Sequence, residues 1–574
     1  MRRVVIYQVI TRLFGNTNLH NKKNGTIEQN GCGKLNDFTP EVLNYIKDMG
    51  VSHIWFTGII EHAHKTDYSK YGIIKDFFDV VKGNAGSPFA VKDYYDIDPD
   101  LAENVPNRMK EFEALVKRTH EAGLKVIIDF VPNHLARQYK SDSAPRNIVD
   151  FGENDNTNVT FDKNNNFYYL PDTQFVSPVS NDSLKEHEKS NTKWHEFPAK
   201  VTGNDCFKTN PDIDDWYETV KLNYGIDFFK KNSPNFNPEP DTWIKMLDII
   251  MFWVEKGVDG FRCDMAEMVP VEFWRWLTDK VRTRHPETCF IAEIYEPKLY
   301  NDFIFKCGFD FLYDKTYFYD TMRSVLEGKK PASDITDIWR ATDGLHNFML
   351  YFLENHDEQR IASDFFLKDA RKAVPGMVLA ATLFNNPIMI YFGQELGEKG
   401  MDNEGFSGLD GRTTIFDYWG LQTINQWRNE GKYNDENLDN ETNNLKMFYK
   451  NLFNIIQKNE ALYKGNFYDI MWANSDNPNF DSNKLFSYIR FSNNQILIII
   501  ANFSDEDISY KLKVPADAMH FAGMNEKHFF TGHDLLNVSK TIQFPGTVAQ
   551  NSGFGGKIKK NNASIFELKS FFVQ

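Results

Sequence analysis

The sequence predicts a (β/α)8 TIM barrel with an inserted irregular subdomain after strand 3 and a C-terminal antiparallel β-sandwich. Three observations predict it: eight short apolar runs of strand length, helical stretches between most of them, and two breaks in an otherwise regular spacing. At 574 residues the chain exceeds one ordinary core, although a barrel can use about 250 residues as one unit. A doubly wound open sheet is the alternative that the pattern leaves.

The apolar runs are VVIYQVI (4–10), SHIWFTGII (52–60), KVIIDFV (125–131), VDGFRCD (258–264), CFIAEI (289–294), FDFLYD (309–314), NFMLYFLEN (347–355) and PIMIYFG (387–393). Helical period or caps mark TPEVLNYIKDMG, MKEFEALVKRTHEAG, DTWIKMLDIIMFWVEKG, VEFWRWLTDKVRTRH and ARKAVPGMVLAATLF, several of them ending in glycine as a helix C-cap does. A βα unit needs about 30 residues, yet Asp129 and Asp264, at the ends of the third and fourth runs, are 135 apart. The excess is an insertion over 135–235, rich in Asn, Asp, Lys and aromatics; a smaller one covers 61–108. After NLKMFYKNLFNIIQKNEALYKG, a final helix, the chain turns strand-like (KLFSYIRF, QILIIIANF, ISYKLKV, ASIFELK) to its end. The division expected is barrel 1–134, insert 135–235, barrel 236–464 and C-terminal β domain 465–574.

Composition narrows the function. A net charge of −15 without any basic run disfavours nucleic acid, which rewards clustered Lys and Arg. No apolar stretch approaches the roughly 20 residues that cross a bilayer, and no signal-peptide pattern opens the chain. The five cysteines are odd in number and scattered, with no CxxC pair, which suggests neither a disulfide framework nor a zinc site. They favour a reducing compartment, the cytoplasm; a periplasmic or secreted address applies if a leader has been removed. Composition does not set the oligomeric state.

The polar residues fall where barrels keep their chemistry, at the C-terminal ends of the strands. Asp129, Asn133 and His134 follow the third run, Arg262 and Asp264 end the fourth, Glu293 the fifth, and His356 and Asp357 the seventh. Asp264 to Glu293 is 29 residues and Glu293 to Asp357 is 64, one and two βα units, so three carboxylates face one mouth. A lone acid is ordinarily a loop cap or an ion-pair partner. Several crowded together repel, and one is pushed to hold a proton near neutral pH. Such a set suits retaining glycoside hydrolysis, in which one carboxylate attacks the anomeric carbon and another protonates the departing oxygen. No GxGxxG or GxxxxGK stretch supports a nucleotide enzyme. Cys263, between Arg262 and Asp264, should face away from the mouth because strand side chains alternate.

DFVPNH, GFRCDMAEMVP, IAEIYEP and FLENHD, in this order, resemble the four signature regions of the α-amylase family of glycoside hydrolases, family 13. The resemblance implies Asp264 as nucleophile, Glu293 as general acid and base, and Asp357 as stabiliser of the transition state. It implies His134, His356 and Arg262 as substrate-site residues, the last keeping Asp264 ionised, with Asp129 orienting Arg262. The substrate implied is an α-glucan or malto-oligosaccharide with α-1,4 links; α-glucosidase, glucan transglycosylase and an inactive glucan-binding relative are the alternatives. No cofactor is implied for the chemistry. A structural calcium is implied, with Asn133 as a ligand and Asp172 or Asp212 as the acid from the insert.

Some landmarks depart from the family. Its aromatic platform, often in a YHGY-like stretch, is expected at Tyr71 in YSKYGI, where Ser69 replaces the usual histidine; an insertion then precedes KDYYDIDP, the next landmark. Glu267 stands where many amylases carry a lysine facing the leaving-group sugar.

Overall fold

The computed structural model describes residues 3–180 and 193–572. Eight strands, β1 to β8, are Val5–Ile10, His53–Thr57, Lys125–Phe130, Gly260–Cys263, Cys289–Ala292, Phe311–Tyr313, Met349–Leu350 and Ile388–Tyr391. They form one parallel sheet in the order β7-β6-β5-β4-β3-β2-β1-β8, and a parallel bridge between Tyr351 and Ile388 joins its two edges into a barrel. The expected barrel is therefore the observed one.

Alternation along the strands builds the interior in levels. Ile6, Trp55, Ile127, Ile291, Tyr313, Leu350 and Met389 pack into one apolar cluster inside the barrel. Two residues further along the same strands stand Gln8, Asp129 and Glu293, so the interior is apolar at one level and polar at the next, towards the C-terminal mouth. Cys263 belongs instead to the layer between barrel and helices, where burial pushes its thiol well up. Helices cover this outer face. Pro40–Asp48 starts with Pro at its first turn and Thr39 as its cap, accepting from the Val42 N–H. Asp241–Glu255 buries Trp243, Met246, Ile250 and Trp253, spaced three and four residues apart.

Between β3 and β4 the described residues of the insert hold short pairings, His134–Ala136 with Thr219–Lys221, Tyr169–Leu170 with Ala199–Lys200 and Ile226–Asp227 with Ser233–Pro234. Its polar centre is the buried Arg137, which lies 2.7 Å from Glu196 and donates to the carbonyls of Tyr217 (2.8 Å) and Thr219 (3.0 Å). The segment after β2 is not wholly irregular, since Ile60–His62 pairs with Val91–Ile97, and the KDYYDIDP landmark is mostly strand. At the C-terminal end six antiparallel strands form one sheet, and Ile508–Leu512 with Phe554–Ile558 makes a separate two-stranded ribbon. Phe554 of the ribbon stacks on Phe544 of the sheet at 4.1 Å. Among the described residues no helix is long and apolar enough to cross a membrane.

The sheet is tied to the barrel by a buried cation. Arg490 donates to the carbonyls of Thr382 (2.8 Å) and Gly465 (3.0 Å) and to Asn385 Oδ1 (2.6 Å). Thr382 is the last residue of the helix Val374–Thr382, so a side chain from another unit satisfies its terminal carbonyl. Arg490→Met would leave these acceptors unpaired, at about 1–3 kcal/mol each. A loss of about 3 kcal/mol in urea unfolding is expected, with kcat of the folded protein unchanged.

Candidate active site

Arg262 on β4 is only 1% exposed and gathers the acids of three strands. In the ladder it lies opposite Asp129 of β3 and Ile291 of β5. Its Nη1 is 2.7 Å from Asp264 Oδ1 and 3.4 Å from Asp129 Oδ1, and its Nη2 is 2.8 Å from Glu293 Oε2. One guanidinium among three buried carboxylates leaves excess negative charge, so the cluster retains a proton near neutral pH. Burial pushes Asp264 up, Arg262 opposes it, and Glu293 adds to the rise. Burial likewise pushes Asp129 up to about 7 against the pull of Arg262.

The chain after Asp264 turns sharply. Met265 adopts the left-handed region (φ 43°, ψ 43°), unusual for a side chain of its size. Its N–H then donates to Glu293 Oε2 at 2.7 Å, which couples the acid of β5 to the turn after β4. Glu293 Oε1 accepts from the Tyr295 hydroxyl at 2.6 Å.

β7 supplies the third acid through a turn. Asn355 Oδ1 accepts the N–H groups of both Asp357 and Glu358 at 2.9 Å, an Asx turn that bends FLENHD across the mouth. The Asp357 side chain is 41% exposed, with Oδ2 3.2 Å from His356 Nε2. Burial, with Arg262 nearby, pulls His356 down to about 3, and burial with Lys221 does the same to His134. Both imidazoles are therefore neutral. The Gln8 amide donates to His356 Nδ1 at 2.8 Å, which leaves the ring proton on Nε2, facing the cavity.

His134, Arg262, Asp264, Glu293, His356 and Asp357 thus line one cavity of about 180 Å³. A larger one of about 830 Å³ lies by Lys372, Lys540 and Lys559, away from these acids. Tyr71 is not brought to the site: it is 42% exposed on the turn Ser69–Tyr71. Phe89 takes the expected place of an aromatic wall, 5.1 Å from the His356 ring. Its signal was GSPFAVKDYYDIDP, an aromatic just before the landmark. Trp216 from the insert, 5.0 Å from the His134 ring, carried no readable signal. Gly203 lets the insert approach, since a Cβ there would stand 2.9 Å from that of His134. Glu267 does not line the cavity; its Oε2 accepts the N–H groups of Tyr295 and Glu296 at 2.9 and 2.8 Å, bracing the loop after β5.

The residues at Asn133 do not suit calcium. Its Oδ1 accepts from the Lys221 ammonium at 3.0 Å, and its Nδ2 donates to the Gly203 carbonyl at 2.8 Å. Lys221, 3% exposed at its side chain, also lies 2.5 Å from Asp205. Asp172 is exposed on a left-handed turn and Asp212 is paired with Lys208 at 3.4 Å, so neither joins Asn133. The positive charge between barrel and insert belongs to the chain itself.

Two outcomes follow. Lys221→Ala should lower the thermal midpoint and make it rise on adding calcium, while calcium leaves the wild type unmoved; a calcium-shifted wild type refutes the assignment. For Asp129, the folded value near 7 lies above the ordinary 3.8, so the folded state holds this proton more tightly than the unfolded chain. That stability is fully present below pH 3.8 and is lost as pH rises through about 7. Asp129→Asn should therefore flatten the fall in thermal midpoint between about pH 4 and about pH 8, measured beside the wild type.

The model of the alpha amylase catalytic domain matches residues 8–465. Among curated relatives, alpha-amylase 2 of Dictyoglomus thermophilum is 23% identical over 82% of this chain and 64% of its own length. Trehalose-6-phosphate hydrolase of Bacillus subtilis is 22% identical, over 89% and 91%. The fold resembles a noncanonic maltogenic alpha-amylase of Thermotoga neapolitana, with a TM-score of 0.63 and 20% identity over 100% of both chains. The chain spans just under two thirds of the first relative. Convergent carboxylates at the barrel mouth and a family match over most of the chain agree, and the chain belongs to the α-amylase family of glycoside hydrolases.

Proposed function

We propose that the protein hydrolyses α-1,4-glucosidic links of malto-oligosaccharides or starch-type glucans with retention of configuration. The observation that carries this reading is the set of Asp264, Glu293 and Asp357 around one cavity, with two of them held on a single guanidinium. Asp264 attacks the anomeric carbon from one face of the sugar. Glu293 gives its proton to the departing glycosidic oxygen, then takes one from the water that releases the glycosyl-enzyme. Asp357 lies open to the cavity and holds hydroxyls of the distorted ring, favouring the positively charged transition state. His356 Nε2–H donates to a hydroxyl without carrying charge, and His134 lines the same sugar.

The cavity's size supports a second reading. At about 180 Å³ it falls below the roughly 300–1,000 Å³ of most ligand pockets, so it suits a chain end more than the middle of a long glucan. Exo-acting hydrolysis, or transfer to a second sugar, uses the same acids. Incubation with maltoheptaose, with proton NMR of the first product, tests both readings. The α-anomer should appear before mutarotation; the β-anomer appearing first would remove Asp264 as nucleophile. Single-unit or maltose release from one end supports the exo reading, and a spread of lengths opposes it.

A further inference from the structure

Apart from the residues that line the cavity, a second set of buried donors converges. A ring nitrogen of His64 and carboxylate oxygens of Asp98 and Asp100 lie within 4.8 Å of one another. The three residues are 1%, 0% and 1% exposed. His64 follows the strand Ile60–His62, and the two acids follow its partner Val91–Ile97.

The carboxylates are partly occupied. Asp98 Oδ1 accepts the Asp100 N–H at 2.9 Å, and Oδ2 lies 2.8 Å from His62 Nδ1. Asp100 accepts the hydroxyls of Tyr68 (2.8 Å) and Tyr418 (2.6 Å), one on each oxygen. Every one of these oxygens keeps a lone pair. His64 is different, because both its ring nitrogens are buried without a hydrogen-bond partner. Its ring meets two other rings edge-on, Tyr68 at 5.5 Å and His62 at 6.3 Å. A neutral imidazole here buries an unmet donor and an unmet acceptor, and a protonated one buries two unmet donors. Native proteins rarely leave either state.

We propose that His64, Asp98 and Asp100 hold a divalent first-row transition ion, of the zinc or manganese kind. The ion takes the imidazole lone pair and the two negative charges together. Imidazole as a ligand selects against calcium and magnesium, which prefer oxygen alone. Ligands opposite one another at about 2.1 Å from an ion are about 4.2 Å apart, so small side-chain rotations close the set. His62 on Asp98 and the two tyrosines on Asp100 form the outer layer that orients such ligands. Tyr418 is also part of the chain that carries Phe416 to the active cavity, and Val91 closely follows Phe89. The ion would therefore brace two walls of that cavity without touching the sugar.

The full chain, stripped of metal by a chelator, is titrated with zinc, manganese and cobalt(II), following the thermal midpoint and the visible absorption of bound cobalt. One equivalent should bind, with a midpoint gain of about 5 °C or more at saturation. Both signals should vanish in His64→Gln, which keeps the size and polarity of the site. Asp100→Asn serves the same end if that variant does not fold. A wild type showing neither cobalt absorption nor a midpoint shift overturns the site and leaves its gap to a buried water. Cobalt absorption that survives undiminished in a folded variant overturns it equally.

Discussion

The buried guanidinium of Arg262 is the constraint on which the active end of the barrel depends. A cation at that depth is costly unless paired, and leaving any one partner out strands charge in a low dielectric. Three carboxylates meet its edge, while Trp55, Phe89 and Tyr313 stand over it at 5.2–5.7 Å. A lysine could not do the same, because only a planar fork holds two acids at fixed places on neighbouring nitrogens. The spacing of Asp264 and Glu293 is thus set by a side chain that itself reacts with nothing. The same contacts bind their protonation states together, so that altering one acid shifts the others.

Buried cations also organise the parts of the chain that lack an apolar pattern. Arg137 gathers the carbonyls of the insert, Lys221 fastens the insert to Asn133 at the end of β3, and Arg490 fastens the C-terminal sheet to a barrel helix. Each long side chain reaches several acceptors that the irregular backbone would otherwise bury unpaired. The chain is acidic overall, at −15, yet its junctions are held by positive charge. Backbone satisfaction does there what periodic burial does in the barrel.

This explains what the sequence disclosed and what it concealed. The strands were legible because eight continuous apolar runs fit strands covered on both faces. Asp129 and Glu293 were legible because alternation carries them to the face of Ile127 and Ile291, two residues on towards the mouth. Position along a strand is a local property. Trp216 was not legible, and Phe89 was marked only by its place just before KDYYDIDP, because they reach the cavity from the insert and from a segment of turns and short strands after β2, where no period fixes direction. Tyr71 misled for the same reason: it stands in a familiar string of residues, but the insertion between it and KDYYDIDP lets the turn swing out to solvent. Lys221 and Asp205 are far from Asn133 in sequence and meet it only once the insert has folded, so an ammonium at that place could not be read in advance.

If the proposed function holds, the division between strand and loop bears on which glucan is cut. Asp264 and Glu293 stand at the ends of rigid barrel strands, which would fix the proposed attacking and protonating groups whatever sugar arrives. The walls come from elsewhere: Phe89 from the segment after β2, Trp216 and the Lys82–Glu218 pair (3.2 Å) from that segment and the insert, and Phe416 from the chain beyond β8. On the proposed mechanism, water and an acceptor sugar compete for the same glycosyl-enzyme, and what favours one is the room left beside Glu293 once the first product departs. In this molecule that room is bounded by irregular chain pinned by buried cations. On that mechanism, small changes in those loops redirect the reaction while the Arg262 cluster, and with it the proposed bond-breaking step, stays as it is.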